Sequence, residues 1–277
     1  MTLTSNLRGF STTPDLASRK AAGPESMAQG IPLAFAVEQY RVLAHIVEQL
    51  AKVGKAVIAI SSPVSGDGKT LTSVNLARTL AQAPEARVLL IDADLRRGSV
   101  GERFGFRRAA SLGLAGAVAD PACRLEAVVR HSPGSNLWIL PRGACPATPY
   151  EALRSARLGE LLVEARARYD YIIVDTPPVV PVADWRALSE WVDGFFLVVS
   201  AHVTPRALLD EALSAMDPEK VIGLVFNGDD QPFSRRYRYY YSYGKSAPQP
   251  GFWAALFGRG PATEPSPMNG KSRRMTR

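Results

Sequence analysis

Residues Ala56 to Ala77 read AVIAISSPVSGDGKTLTSVNLA, so an apolar strand, a glycine-containing loop ending in Gly68-Lys69-Thr70 and an amphipathic helix follow one another without a gap. That order constrains the chain more than any other feature, because it is the order of a phosphate-binding loop. Gly66 and Gly68 permit a tight turn in which successive N–H groups, and the positive end of the following helix dipole, face an anion. Lys69 would reach the β- and γ-phosphates and the Thr70 hydroxyl would sit on Mg²⁺. The nucleotide-binding set is then the run Ser65, Gly66, Asp67, Gly68, Lys69, Thr70 and Leu71. Pro63 stands where the usual pattern has its first glycine, so the match is to the second half of the motif, and an ordinary strand-to-helix turn is the bland alternative. The β-type residues before the loop and the helical spacing of Leu71, Val74, Leu76 and Leu80 after it favour the nucleotide.

Two further runs deliver carboxylates in the manner such a loop requires. In Arg87-Val-Leu-Leu-Ile-Asp92-Ala-Asp94-Leu-Arg96-Arg97 an apolar stretch reads as a buried parallel strand with Asp92 and Asp94 at its carboxyl end. Ligands of open α/β sheets bind at that edge, and alternation along an extended chain points both carboxylates to one side, where they can share a cation. Strand-end aspartates also serve as caps and turn formers. Tyr169-Asp-Tyr-Ile-Ile-Val-Asp175-Thr-Pro-Pro178 repeats the arrangement, and Asp175 suits an outer-shell Mg²⁺ ligand acting through water. Three carboxylates on two strands beside one phosphate loop are hard to explain as packing. The metal set is Thr70, Asp92 and Asp175.

The remaining chain frames these runs. Residues 1–30 are rich in Ser, Thr, Pro, Gly and Ala and read as a flexible leader; residues 31–229 read as one domain, and residues 230–277 as a disordered tail. A helix is expected from Pro32 to Lys52, serving either core packing or contact with other subunits. Short helical passages are expected over Gly101–Phe106 and Leu112–His131, a strand at Leu137–Leu140, a longer helix over Tyr150–Arg168, a strand at Val192–Val199, a helix over Ala207–Met216 and a last strand at Val221–Asn227. Asn227, at the end of that strand, is placed to hydrogen-bond a nucleotide base or to form a turn. Strands alternating with helices make the fold class α/β: a P-loop NTPase-like, mostly parallel sheet with helices on both faces and flexible N- and C-terminal tails.

Charge and cysteine usage exclude little. A net charge of +7 permits contact with nucleic acid or an anionic membrane without implying either, and Cys123 and Cys145 show no metal-type spacing. No apolar run reaches the length of a membrane span and the N-terminus lacks the order of a signal peptide, so a soluble chain is expected. The tail is more telling. Ser234-Arg-Arg-Tyr237-Arg-Tyr239-Tyr240-Tyr241-Ser-Tyr243 holds five of the nine tyrosines, a composition that suits a nucleic-acid stacking platform, an interfacial membrane anchor or a phosphorylation cluster.

Together, SSPVSGDGKTLTSVNLA, VLLIDADLRR, YDYIIVDTPPV and the tyrosine-rich C-terminus resemble the bacterial tyrosine kinases of polysaccharide synthesis and export, over about residues 32–245. The resemblance implies an ATP- and Mg²⁺-dependent autokinase in which Lys69 and Thr70 match the first motif, Asp92 and Asp94 the second and Asp175 the third. Lys69, Asp92 and Asp94 would be the catalytic residues, one of the two aspartates accepting the proton of a tyrosine hydroxyl whose ordinary pKa is near 10. Tyr237, Tyr239, Tyr240, Tyr241 and Tyr243 match the autophosphorylated cluster. It implies a stand-alone cytoplasmic member recruited to the inner face of the cell membrane by the cytoplasmic tail of a separate transmembrane co-polymerase, a cognate tyrosine phosphatase, and no specific nucleic acid. The family often carries E-x-x-R-x-x-R on its first helix for self-association; here those positions read Glu38, Arg41 and Ala44, and the pattern is incomplete. Rival readings are a partition or positioning ATPase, whose K-G-G-x-G-K-T pattern would put a lysine at Val64, and a non-catalytic nucleotide-binding regulatory subunit of a polysaccharide-assembly complex.

Overall fold

Short apolar runs buried on both faces build the centre of the molecule. The computed structural model describes residues 33–106 and 112–228. In chain order the elements are α1 (Leu33–Lys52), β1 (Val57–Ser61), α2 (Lys69–Leu80), β2 (Val88–Asp92), α3 (Val100–Arg103), α4 (Leu114–Ala119), α5 (Leu125–Val128), β3 (Arg130–His131), β4 (Leu137–Leu140), α6 (Pro149–Arg154), α7 (Ala156–Arg166), β5 (Tyr171–Asp175), α8 (Asp184–Ser189), β6 (Gly194–Ser200), α9 (Arg206–Ala215) and β7 (Val221–Asn227). The seven strands form one sheet in the order β3-β4-β2-β5-β1-β6-β7. Every pairing is parallel except that of β3 with β4 at one edge.

Alternation along the strands sorts side chains to two faces. Val57, Ala59, Leu89, Ile91, Ile172 and Val174 pack beneath α4 to α9, with Leu158, Leu161, Trp185 and Leu188 among the residues that close that side. Ile58, Ile60, Leu90, Ile173 and Val198 face α1 and α2, where Leu43, Val47, Leu76 and Leu80 cover them. Leu76 and Leu80 are buried to 0% and 2% exposure, and burial of such a side chain contributes about 2 kcal/mol. The sheet is therefore mostly parallel with helices on both faces, as the alternation of elements predicts.

Differences lie in the connections. The single helix expected over Tyr150–Arg168 is two, because Ser155 is extended (ψ 137°) and caps α7 by accepting a hydrogen bond from the Arg157 amide. The Leu112–His131 passage resolves into α4, α5 and the two-residue strand β3, with Pro121 lying between the helices. Helix α8 has no counterpart in the sequence reading. Ala44, where the self-association pattern would carry an arginine, is buried against α2, whereas Glu38 and Arg41 form an exposed ion pair at 3.1 Å. The leader, residues 1–30, and the tail, residues 230–277, lie outside the described residues.

Candidate active site

The three runs singled out in the sequence meet at the carboxyl ends of the neighbouring central strands β1, β5 and β2. Gly66 and Gly68 take left-handed backbone angles, φ 101° and 97°, which a side chain would resist, and Gly68 is the residue at which α2 begins. The first-turn amides of α2 have no carbonyl within the helix to bond, so they remain directed at whatever occupies the mouth of the loop. Ser65 and Gly66 are exposed there, while Lys69, Thr70 and Leu71 are half-buried in the first turn of the helix.

Lys69 spans the gap from α2 to the end of β2, its Nζ 3.0 Å from Asp94 Oδ2. Burial alone would lower the pKa of its ammonium, but Asp175, Asp94 and Asp92 together hold it above the ordinary lysine value. Asp94 is satisfied on its other oxygen by the Arg97 amide at 2.9 Å. Thr70 Oγ1 donates to Asp175 Oδ2 at 2.7 Å, and Ser73, one turn further along α2, donates to Asp175 Oδ1 at 3.0 Å. Parallel pairing sets Asp92 directly beside Asp175. Burial, and then the Asp175 charge, push the Asp92 carboxyl well above the usual carboxylate range; burial likewise raises Asp175. Asp92 Oδ2 accepts the Val100 amide at 3.0 Å, yet its buried Oδ1 has no hydrogen-bond partner.

An orphaned carboxylate oxygen beside a second buried carboxylate and a threonine hydroxyl is an all-oxygen donor set, which suits a hard divalent cation such as Mg²⁺. Among the described residues no group of three or more His, Cys, Asp and Glu side chains is placed to hold a metal ion. Mg²⁺ characteristically takes only one or two carboxylates and completes its shell with water and phosphate oxygens, so the residues present fit it.

A protein-family description, "AAA domain", matches residues 55–199. The chain is 35% identical over 207 residues to the tyrosine-protein kinase YwqD of Bacillus subtilis, covering 73% of this chain and 85% of that one. The chain belongs to the bacterial tyrosine-kinase family. With the tyrosine-protein kinase wzc of Salmonella typhi it shares 31% identity over 79% of its own length but only 30% of the relative's. Among solved structures, the VpsO kinase domain superposes with a TM-score of 0.62 at 31% identity, over 70% of this chain and 96% of that one. A ParA family ATPase from Chlorobium tepidum, at 22% identity and a TM-score of 0.52 over 62% of this chain and 74% of that one, shares the P-loop NTPase-like fold.

For this family member, then, Lys69, Thr70, Asp92, Asp94 and Asp175 are drawn into one cluster. Asn227 is also brought to the loop, where its side chain meets the main chain: its Nδ2 donates to the Asp67 carbonyl at 2.9 Å. A Cβ on Gly68 would stand 2.0 Å from that Nδ2, so the glycine is required by the close approach as well as by its angle. The five tail tyrosines lie outside the described residues. Sequence reasoning missed Ser73, Gly98 and Thr204. Ser73 was detectable, since it follows Thr70 by three positions and so shares its helix face. Gly98 abuts Asp92, and Thr204 reaches the loop across 137 residues of chain, and neither carries a local signal.

Proposed function

We propose that this chain is an ATP-dependent protein-tyrosine autokinase that transfers the γ-phosphoryl group of ATP to tyrosines of its own C-terminal stretch, Tyr237, Tyr239, Tyr240, Tyr241 and Tyr243. The observation that carries the reading is the convergence of one ammonium and three carboxylates from three separate runs, Lys69 with Asp92, Asp94 and Asp175, at a loop of unbonded helix amides.

In the resting site Lys69 is held by Asp94, so its charge is stored where an incoming phosphate can take it over with little rearrangement. Loop amides and Lys69 bind and orient the polyphosphate. The tyrosine hydroxyl attacks the γ-phosphorus, the bond to ADP breaks, and the phenolic proton passes to a carboxylate. Asp92 and Asp94, at and just past the end of β2, are the two candidate acceptors: Asp94 already bonds Lys69 and the Arg97 amide, and the partnerless oxygen of Asp92 is the one that would meet Mg²⁺. Thr70, Asp92 and Asp175 would hold Mg²⁺, which when bound supplies positive charge to the transferring group. Burial of the cluster keeps these charges in surroundings where each is stronger than in water.

The family resemblance supports a role in polysaccharide synthesis or export, with activation by the cytoplasmic tail of a separate transmembrane co-polymerase at the inner face of the membrane. Among the described residues no helix is long and apolar enough to cross a membrane. Incubation of the purified chain with Mg-ATP and such a tail, followed by mass spectrometry, is expected to yield phosphotyrosine in residues 237–243, and Lys69→Met to abolish it. Phosphate release without tyrosine modification would instead support the partition-type ATPase. Neither product would support a nucleotide-binding regulatory subunit.

A further inference from the structure

The loop that would receive polyphosphate carries a carboxylate of its own. Asp67 sits between Gly66 and Gly68, both in left-handed conformation, so nothing in the local sequence dictates where its charge is held. The residue is nevertheless only 2% exposed, and one of its two carboxylate partners comes from outside the loop. Thr204 Oγ1, in the turn between β6 and α9, donates to Asp67 Oδ1 at 2.6 Å, and Asp67 Oδ2 accepts the Val64 amide at 3.2 Å. The same Thr204 oxygen accepts the Ser200 amide at 3.1 Å, so its hydroxyl proton is directed at the aspartate. Asn227 bonds the Asp67 carbonyl, and the Asn227 carbonyl in turn accepts the Ala201 amide at 2.8 Å. Loop, turn and strand end thus form one closed hydrogen-bonded cluster. The turn is built with effort: His202 holds φ 60°, a left-handed angle uncommon outside glycine.

We propose that Thr204 and Asn227 are positioning residues of the nucleotide loop, acting through Asp67. Thr204 engages the carboxylate on the side of β6, and Asn227 fixes the main chain beside it, so that phosphate meets the loop amides without a competing anion. A carboxylate released from this cluster would oppose the triphosphate at short range, where like charges act strongly. The proposal rests on the nucleotide-binding part of the reading above and is independent of whether tyrosine is the acceptor. It also gives Asn227 a role other than reading the base.

The test is a double-mutant cycle on the full chain, read by titration with Mg-ADP. Thr204→Val, which keeps shape and removes the hydroxyl, is expected to weaken binding about tenfold, and Thr204→Ser to restore it to within about threefold. In an Asp67→Ala background the same Thr204→Val change is expected to alter affinity less than about twofold, because its partner is gone. An equal loss in both backgrounds would mean that Thr204 merely supports the fold, and would overturn the proposal. Asn227→Ala is expected to weaken Mg-ADP and Mg-GDP by the same factor; a loss confined to Mg-ADP would return Asn227 to the base. Hydrogen exchange of the nucleotide-free protein gives a second measurement. Thr204→Val should speed exchange at Val64, whose amide the anchored Asp67 carboxylate accepts, and unchanged protection there would refute the anchoring. If the wild-type chain binds no Mg-ADP, the kinase reading falls, and the exchange result still decides whether Thr204 holds the loop.

Discussion

Gly98 has no side chain because Asp92 fills the space that one would take. A Cβ built there stands 2.1 Å from Asp92 Oδ1 and 2.6 Å from Oδ2. Gly98→Ala is therefore expected to displace the carboxylate while leaving the strands intact: nucleotide-dependent phosphorylation should fall at least tenfold with a near-native circular dichroism spectrum, and wild-type activity in this variant would refute the constraint. Asp92 itself imposes a cost on the metal-free fold. Its carboxyl and that of Asp175 are both raised in the folded state, so the stability they contribute is fully present below the ordinary carboxylate range and is lost as pH rises through their raised values. The magnesium-free protein should accordingly lose this contribution as pH rises above the ordinary carboxylate range, read as a falling Tm. Asp92→Asn removes the like charge and keeps an oxygen for the Val100 amide. At neutral pH it should gain about 1 kcal/mol, a rise in Tm of about 2–4 °C, while losing kinase activity. A lower Tm in that variant would contradict the assigned strain.

Between elements, the contact most exposed to test joins the loop after β2 to α8. Arg96 grips Asp184 with two hydrogen bonds, Nε to Oδ2 at 2.7 Å and Nη2 to Oδ1 at 3.1 Å. The partners are unequal, for the Asp184 side chain is 2% exposed and the Arg96 side chain 45%. Removing the arginine strands a buried carboxylate, whereas removing the carboxylate frees a guanidinium that can turn to water. Arg96→Ala should thus destabilise by about 2 kcal/mol, and adding Asp184→Asn to it should recover part of that loss in urea unfolding. A double variant weaker than the single would show that the asymmetry is misjudged. This contact also marks the limit of what the residues reveal on their own. Val88–Asp92 and Tyr171–Asp175 were legible because each joins an apolar run to a terminal aspartate, and their pairing in register follows once the sheet is parallel. Helix α8 is only six residues long and begins from a proline-rich turn, so no period could announce it. Strand β3 is two exposed residues whose extended shape is imposed by β4. Ser155 breaks a run whose leucine spacing is helical throughout, because backbone angles at one residue leave no trace in amphipathicity. Tertiary position, not local pattern, decides all three.

Along the chain, the residues proposed to hold nucleotide precede those proposed to receive phosphate. All the site residues described here lie between Val64 and Asn227, and the tyrosine cluster begins ten residues beyond at Tyr237. Replacing Tyr237, Tyr239, Tyr240, Tyr241 and Tyr243 by Phe in the full chain should leave Mg-ADP affinity and Tm unchanged and remove phosphotyrosine from that stretch. Persistent labelling of the variant would send the search for acceptors to Tyr40, Tyr150, Tyr169 and Tyr171. Each phosphate adds about −1.5 to −2 charges, so several would reverse the local positive charge of Arg235, Arg236, Arg238 and Lys245.

The carboxylates and the loop hang from β1, β5 and β2, each hydrogen-bonded to a neighbour on either side, while the short β3 and the half-covered β7 form the margins. Loosening at β3 need not reach the three central strands, whereas loosening at β7 would carry Asn227 away from the Asp67 carbonyl. The amides of β1, β5 and β2, paired on both sides, should accordingly be the slowest of the sheet to exchange, and those of β3 the first to open.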